Sequence, residues 1–155
     1  MTALPPAPAS TSWDRPAGAP ADIGLDDGDG PLVLLVDDRM ELLALHGSYL
    51  HEHGYRVLTA QDGETGLDYA RTHDPSVIVL DHSMPRRTGL DVARELKADP
   101  ATADIPILLM TAHSYGAVGA AAKEAGCDTF LSKPVAPSRM LREVTLHVER
   151  GAGRP

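Results

Sequence analysis

Residues 77–81, Val-Ile-Val-Leu-Asp, constrain the fold more than any other stretch of the sequence. Four consecutive large apolar residues, bounded by Asp74-Pro75 and Met84-Pro85, predict a short strand that is buried on both faces, as inside a parallel sheet. The run ends in a carboxylate, Asp81. Open α/β sheets bind their ligands at the carboxyl ends of the strands. Asp81 is therefore the first candidate functional residue.

The same alternation of an apolar run and a helical spacing recurs along the chain. Further strands are predicted at 32–36, 55–59, 105–110 and 127–131, and a segment with helical periodicity follows each one. In the first helix, the inward face is predicted to contain Met40, Leu43, Ala44, Gly47 and Leu50. Five strand–helix units with right-handed crossovers predict an α/β fold, a flavodoxin-like, doubly wound, five-stranded parallel sheet. We expect the strand order 2-1-3-4-5, which makes strands 1 and 3 neighbours.

Composition divides the chain into one domain and two tails. Residues 1–30 are rich in Pro, Ala and Gly, and Trp13 and Ile23 are almost their only bulky apolar residues. Such a segment buries too little surface to offset its loss of conformational entropy, so we expect a disordered tail. Residues 31–150 are predicted to form the folded domain, and 151–155 a short tail.

The net charge of −8 argues against a nucleic-acid partner and against attraction to an anionic membrane surface. No apolar run approaches the length of a membrane span, and no secretory signal pattern precedes the domain. The single cysteine, Cys127, gives no disulfide framework and fits a reducing compartment. These features predict a soluble, cytoplasmic protein.

Polar residues follow four of the predicted strands. With the expected strand order, Asp37, Asp38 and Asp81 converge at one edge of the sheet, where Thr111 and Lys133 join them. Each carboxylate pair would repel by about 4 kcal/mol at 4 Å in an effective dielectric of 20, so positive charge must lie among them. Lys133 supplies one charge, and Mg²⁺, which prefers carboxylate and carbonyl oxygens, suits the remainder. The alternative is that each acid only caps the helix that follows its strand.

The motifs at these strand ends resemble those of the response-regulator receiver domain of two-component signalling. The resemblance spans about Leu32 to Arg150. It rests on four motifs in chain order, Leu-Val-Asp37-Asp38, Leu80-Asp81-His-Ser-Met84-Pro85 with Gly89, Met110-Thr111-Ala112 and Phe130-Leu-Ser-Lys133-Pro134.

The resemblance implies a phosphoryl-accepting signalling module and not a conventional enzyme. Asp81 would accept a phosphoryl group from a sensor histidine kinase or a histidine phosphotransfer protein. Asp38, Asp81 and the carbonyl of Ser83 would bind Mg²⁺, while Asp37 would act mainly through metal-bound water. Lys133 would neutralise charge on the transferred group.

The resemblance also implies a switch. The Thr111 hydroxyl would move toward the phosphate and Phe130 would rotate inward, which remodels a face that binds an unknown downstream protein. Ser83 and His113 would tune the lifetime of the phosphate. The protein would be a monomer or a phosphorylation-dependent dimer, and a stand-alone receiver.

Several residues keep a second interpretation. Phe130 could be ordinary core, and His113 an exposed loop residue without a role. Arg86 and Arg87 are either solvated charges or a partner contact. Trans is the default for the Lys133–Pro134 peptide, although the family often has cis. The spacing of His46, His51 and His53 does not suit a metal site, so we interpret them as surface histidines.

The sequence fits two other functions less well. A Mg²⁺-dependent phosphohydrolase would place Asp-x-Asp after the first strand, whereas Asp37 and Asp38 are adjacent. A flavin-binding flavodoxin would need a Ser- and Thr-rich phosphate loop there, where these acids would repel the cofactor phosphate.

Overall fold

The computed structural model describes residues 25–152 and contains five strands that alternate with five helices. The strands are β1 (Leu32–Val36), β2 (Arg56–Ala60), β3 (Val77–Asp81), β4 (Ile107–Thr111) and β5 (Thr129–Ser132). The helices are α1 (Met40–Glu52), α2 (Gly63–His73), α3 (Gly89–Ala98), α4 (Tyr115–Glu124) and α5 (Pro137–Ala152). Among these helices, none is long and apolar enough to cross a lipid bilayer.

The five strands form one parallel sheet in the order β2-β1-β3-β4-β5, which confirms the predicted fold and strand order. In the register of the sheet, Val36 of β1 pairs with Leu80 of β3, and Asp81 of β3 pairs with Met110 of β4. The carboxyl ends of neighbouring strands among β1, β3 and β4 therefore lie within one residue of each other. Every residue of these three strands is buried, as their apolar sequences predict.

Alternate side chains of the strands enter two apolar layers. One layer packs the sheet against α2, α3 and α4, and the other packs it against α1 and α5. Leu34 and Ile78 point into the first layer, whereas Val33 and Val79 point into the second. The strands that lead to Asp37, Asp81 and Thr111 are therefore packed against apolar side chains on both faces of the sheet.

Side-chain caps begin three of the helices. Asp62 accepts a hydrogen bond from the Thr65 N–H at the start of α2, and Ser114 accepts one from Ala117 at the start of α4. Thr88 and Asp91 form a reciprocal capping box at the start of α3. Because Thr88 provides this cap, Asp81 is not required to cap the helix that follows its strand.

The buried face of α1 differs from the predicted one. Leu43, Gly47 and Leu50 are buried as expected, but Met40 and Ala44 are exposed. His46 is 4 % exposed and donates a hydrogen bond from Nε2 to the Val135 carbonyl oxygen at 3.0 Å. The interpretation of His46 as a surface residue is wrong, because a distant loop supplies the acceptor that a buried imidazole needs.

Residues 25–30, which composition assigns to the tail, contact β2 and α1. The Leu25 carbonyl accepts a hydrogen bond from the Val57 N–H at 2.8 Å. Asp26 pairs with Arg56 at 3.2 Å, and Asp27 pairs with His51 at 2.5 Å. The remainder of the predicted tail, including Trp13, lies outside the described residues.

Candidate functional site

Three carboxylates meet at the carboxyl edge of β1 and β3. One oxygen from each of Asp37, Asp38 and Asp81 lies within 4.8 Å of the others. Asp37 and Asp81 are buried, at 1 % and 2 % exposure, while Asp38 is exposed. The convergence follows from the strand order, since β1 and β3 are neighbours and both end here.

Two oxygens of this cluster have no hydrogen-bond donor. They are Asp37 Oδ2 and Asp81 Oδ1, and both are fully buried. Lys133 Nζ lies 2.6 Å from Asp81 Oδ1 and 4.0 Å from Asp37 Oδ2. Lys133 therefore forms a salt bridge with Asp81 Oδ1, whereas Asp37 Oδ2 has no donor within hydrogen-bonding distance in the described part of the chain. A buried carboxylate oxygen without a donor is costly, which leaves a place for a further cation.

Burial raises the pKa of Asp37 to about 6. The hydrogen bond from the Arg39 N–H lowers this pKa, the charge of Asp81 raises it, and the charge of Lys133 lowers it. Below pH 6 the Asp37 carboxyl is therefore mostly protonated in the absence of a metal. The Coulomb repulsion expected from the sequence is present, although the loss of hydration is the larger effect.

The donor set fits Mg²⁺. This ion prefers oxygen ligands, commonly binds through one or two carboxylates, and retains several waters. Asp37 offers a buried oxygen without a donor, and Asp81 offers one whose only partner among the described residues is the Lys133 ammonium. The exposed Asp38 leaves the cluster open to solvent on one side. The Ser83 carbonyl as a ligand stays a prediction.

The Thr111 side chain is buried at the end of β4 and is surrounded by nitrogen atoms of two histidines. Its hydroxyl oxygen accepts a hydrogen bond from the His113 N–H at 3.0 Å. The ring Nδ1 of His113 lies 3.3 Å away and that of His82 lies 3.5 Å away. The two imidazoles meet edge to face, with centroids 5.3 Å apart. His82 is an additional neighbour of the site that the sequence reasoning missed.

The pKa of His82 is lowered, chiefly by burial and further by the nearby His113. Asp81 opposes this change. Because His82 directly follows Asp81, the sequence could have placed it near the site. Strand geometry alone, however, does not predict which neighbour its imidazole contacts.

The loop after Asp81 is held close to the sheet. A Cβ at position 89 would lie 2.5 Å from the Asp81 carbonyl oxygen, so this close approach requires glycine. Ser83 is exposed in this loop.

Arg87 ties the same loop to two helices. Its guanidinium pairs with Glu64 of α2 at 2.6 Å and with Glu95 of α3. These hydrogen bonds raise its pKa above the usual range, with that to Glu95 the largest cause. Arg87 is thus part of an intramolecular ion-pair network, whereas Arg86 is exposed with a positive φ of 69°.

Phe130 of β5 is half-buried and packs against the layer under α2, α3 and α4. The exposed ring of Tyr115 covers its edge from the first turn of α4. Thr111 is the last residue of β4, Phe130 lies in the adjacent strand β5, and Lys133 directly follows β5, as the sequence predicts. The Lys133–Pro134 peptide is cis and not the default trans.

Comparisons with known proteins agree with this geometry. The sequence matches the family model described as the response regulator receiver domain over residues 33–145. The polar-differentiation response regulator DivK of Brucella ovis is 29 % identical over 112 residues, which cover 72 % of this chain and 91 % of that protein.

Solved structures show the same similarity. The chemotaxis response regulator CheY4 of Vibrio cholerae superimposes with a TM-score of 0.73 at 28 % identity, over 77 % of this chain and 99 % of that chain. The response regulator DrrB of Thermotoga maritima gives a TM-score of 0.71 at 28 % identity, over 79 % of this chain and 54 % of that chain.

Proposed function

The chain belongs to the response-regulator receiver family, and we propose that it accepts a phosphoryl group on Asp81 in a two-component or phosphorelay system. The donor would be a phosphohistidine on a sensor histidine kinase or a histidine phosphotransfer protein. The observation that supports this most is the pair of buried carboxylates, Asp37 with an oxygen that has no donor and Asp81 with Lys133 as its partner. Family membership supports a signalling role, and the site supplies the residues for the transfer.

The transfer is a substitution at phosphorus. An Asp81 carboxylate oxygen forms a new P–O bond, the P–N bond to the donor imidazole breaks, and its electron pair remains on the departing nitrogen. Little acid–base chemistry is needed, so the protein contributes mainly position and charge. Lys133, already 2.6 Å from Asp81, is placed to neutralise charge on the transferred group.

Asp37, Asp38 and Asp81 would hold Mg²⁺, with the Ser83 carbonyl as a further ligand. When bound, the ion would neutralise negative charge on the carboxylates and the phosphoryl oxygens. Asp37 would act mainly through metal-bound water, and its raised pKa shows how unfavourable its charge is without a cation.

Thr111 would donate its hydroxyl hydrogen to a phosphoryl oxygen. In the structure this hydroxyl is surrounded by His113 and His82, so the donation requires a local rearrangement. That movement would be transmitted to Phe130 on the neighbouring strand and change the surface presented to a downstream protein. Ser83 and His113 would influence how easily water reaches the phosphoryl group. A cytoplasmic location stays a prediction.

Intact-protein mass spectrometry after incubation with acetyl phosphate and Mg²⁺ tests the proposal. We expect an adduct of ~80 Da that survives acid and is removed by hydroxylamine, as an acyl phosphate should be. Asp81→Asn should abolish the adduct while leaving the circular dichroism spectrum unchanged.

Asp104→Asn is the matched control, because Asp104 is an exposed acid before β4, at the opposite edge of the sheet. It should form the adduct at the wild-type rate. An adduct that persists in Asp81→Asn would refute Asp81 as the acceptor. If acetyl phosphate gives no adduct, a phosphohistidine donor is tested next, and failure with both donors refutes phosphoryl acceptance.

A further inference from the structure

His46 is a buried polar residue that lies away from the acidic cluster. It is on the face of α1 that packs against the sheet and α5, and its Nε2 lies 3.0 Å from the Val135 carbonyl oxygen. A carbonyl oxygen only accepts, so Nε2 carries the proton and donates. His46 is buried and Val135 is half-buried, so breaking this bond would leave the buried imidazole without its acceptor and would release the loop at Val135.

Val135 belongs to the loop that follows Lys133 and leads to α5. The loop is attached to the domain at two points on either side of the Lys133 side chain. The Lys133 N–H donates to the Thr111 carbonyl at 2.8 Å, which fixes the loop to β4. The Val135 carbonyl accepts from His46, which fixes the loop to α1. The Val135 side chain also packs against the apolar layer under α1 and α5.

The Lys133 ammonium depends on this loop for its position. Its Nζ is 2.6 Å from Asp81 but 4.0 Å from Asp37, so a shift of an ångström would change both contacts substantially. The helix that carries His46 begins two residues after Asp38, so it also bounds the acidic cluster. The helix α1 therefore begins directly after the acidic cluster and also holds, through His46, the loop that carries Lys133.

We infer that His46 is a positioning residue for Lys133, acting through its hydrogen bond to the Val135 carbonyl. This inference rests on the proposed phosphoryl transfer to Asp81, in which Lys133 contacts the reacting group. His46 itself does not touch the site. Its removal should therefore change how well Lys133 serves the transfer, and not the affinity for the phosphoryl donor.

Three variants of His46 and one control variant test the inference. His46→Leu removes the donor at similar volume, and His46→Phe replaces it if that variant does not fold. His46→Gln keeps an N–H donor. His53→Leu is the matched control, because His53 also contacts a carbonyl oxygen, that of Tyr49, but it is the exposed C-cap residue of α1 and bonds, among the described residues, only to its own helix.

The first readout is the rate of adduct formation with acetyl phosphate and Mg²⁺ across donor concentrations. We expect His46→Leu to lower the maximal rate about threefold to tenfold, with the half-saturating donor concentration unchanged. His46→Gln should recover most of the rate, and His53→Leu should match the wild type. In a Lys133→Met background, His46→Leu should change the residual rate less than twofold, because the two residues act as a unit.

The second readout needs no phosphorylation. In protein labelled with ¹³C-lysine, the Cε resonance of Lys133 is assigned by its loss in Lys133→Met. Asp81→Asn should move this resonance in the wild type and in His46→Gln, and move it much less in His46→Leu. The resonances of Lys97 and Lys123 should not respond in any background.

The outcomes separate the inference from the proposed function. Equal maximal rates in the wild type and His46→Leu would overturn the inference while leaving phosphoryl transfer intact. A rate loss that persists in Lys133→Met would also overturn it, since His46 would then act elsewhere. If neither the wild type nor any variant forms an adduct with acetyl phosphate or with a phosphohistidine donor, the proposed function fails. The Lys133 resonance then still tests the inference: a response to Asp81→Asn that is reduced in His46→Leu supports it, and an equal response overturns it.

Discussion

The ring of Tyr115 meets the ring of Phe130 edge to face, with centroids 5.3 Å apart and an angle of 76° between the planes. Tyr115 is 61 % exposed, yet its ring also covers Gly119, where a Cβ would lie 2.5 Å from a ring carbon. The glycine one turn later in α4 thus lets Tyr115 lie flat against the helix and reach Phe130. Tyr115 therefore reports on the position of Phe130 at the surface.

Phosphorylation should change the environment of Tyr115 if Phe130 switches. In protein labelled with fluorotyrosine, we expect the ¹⁹F resonance of Tyr115 to shift on phosphorylation, because an aromatic neighbour moves away from its ring. The resonance of Tyr49, on α1, should stay in place. Thr111→Val should suppress the shift even where the adduct forms. A Tyr115 resonance that is unaffected in the phosphorylated wild type would favour Phe130 as plain core.

Removing the Asp37 charge should stabilise the metal-free protein. Burial raises the folded-state pKa of Asp37 to about 6 from 3.8, so ionisation at neutral pH destabilises the fold by up to about 3 kcal/mol. The protonated Asp37 carboxyl contributes its full stabilisation below the unfolded-state pKa of 3.8. This contribution to the free energy of unfolding is lost as the pH rises through the folded-state pKa of about 6. We expect Asp37→Asn to increase the free energy of unfolding in urea with EDTA at about pH 7.5.

The gain from Asp37→Asn should shrink as the pH falls toward 4, because the wild-type carboxyl is then protonated as well. Asp38→Asn is the control, since Asp38 is exposed and its charge loses little hydration on folding. Equal gains for the two variants would show that mutual repulsion, and not burial, governs the stability of the cluster.

Mg²⁺ should stabilise the wild-type protein. An ion that binds only the folded state raises its stability by RT ln(1 + [Mg²⁺]/Kd), so millimolar Mg²⁺ should raise the melting temperature relative to EDTA at matched ionic strength. Asp38→Ala should weaken this response and Asp104→Asn should retain it. An Asp38→Ala titration that coincides with the wild type would remove Asp38 from the ligand set.

Deleting residues 1–30 should destabilise the domain more than deleting residues 1–24. The longer deletion removes the Leu25 carbonyl that accepts from Val57, the partly buried Leu25 side chain and the Asp26–Arg56 pair. We expect an additional loss of about 1–3 kcal/mol in urea unfolding. Identical unfolding curves would instead support a domain that begins at residue 31.

The fold could be predicted because its determinants are local and repeated. Runs such as Leu32–Val36 and Val77–Asp81 carry no polar residue before their ends, and the caps at Asp62 and Thr88 mark where helices start. Parallel topology then places Asp37, Asp38, Asp81, Thr111 and Lys133 at one edge without any knowledge of side-chain contacts.

What could not be predicted depends on contacts between distant segments. His46 appears polar in the helical pattern of α1, and its partner carbonyl is 89 residues later in the chain. Arg87 looks like a solvated charge until α2 and α3 bring Glu64 and Glu95 to it. The contact of Leu25 with β2 is also between distant segments. Composition indicates how much apolar surface a segment has, but it does not predict where a single leucine packs.

The segment before β1 also affects how copies of this protein meet one another. β2 is an edge strand, and an uncovered edge presents unpaired backbone groups on which a strand from another molecule can align. The Leu25 carbonyl accepts a hydrogen bond from the N–H of Val57, the second residue of β2, and so occupies one backbone donor of this edge strand. Residues 25–30 therefore cover part of the β2 edge, which leaves less of its backbone free to pair with a strand from another molecule.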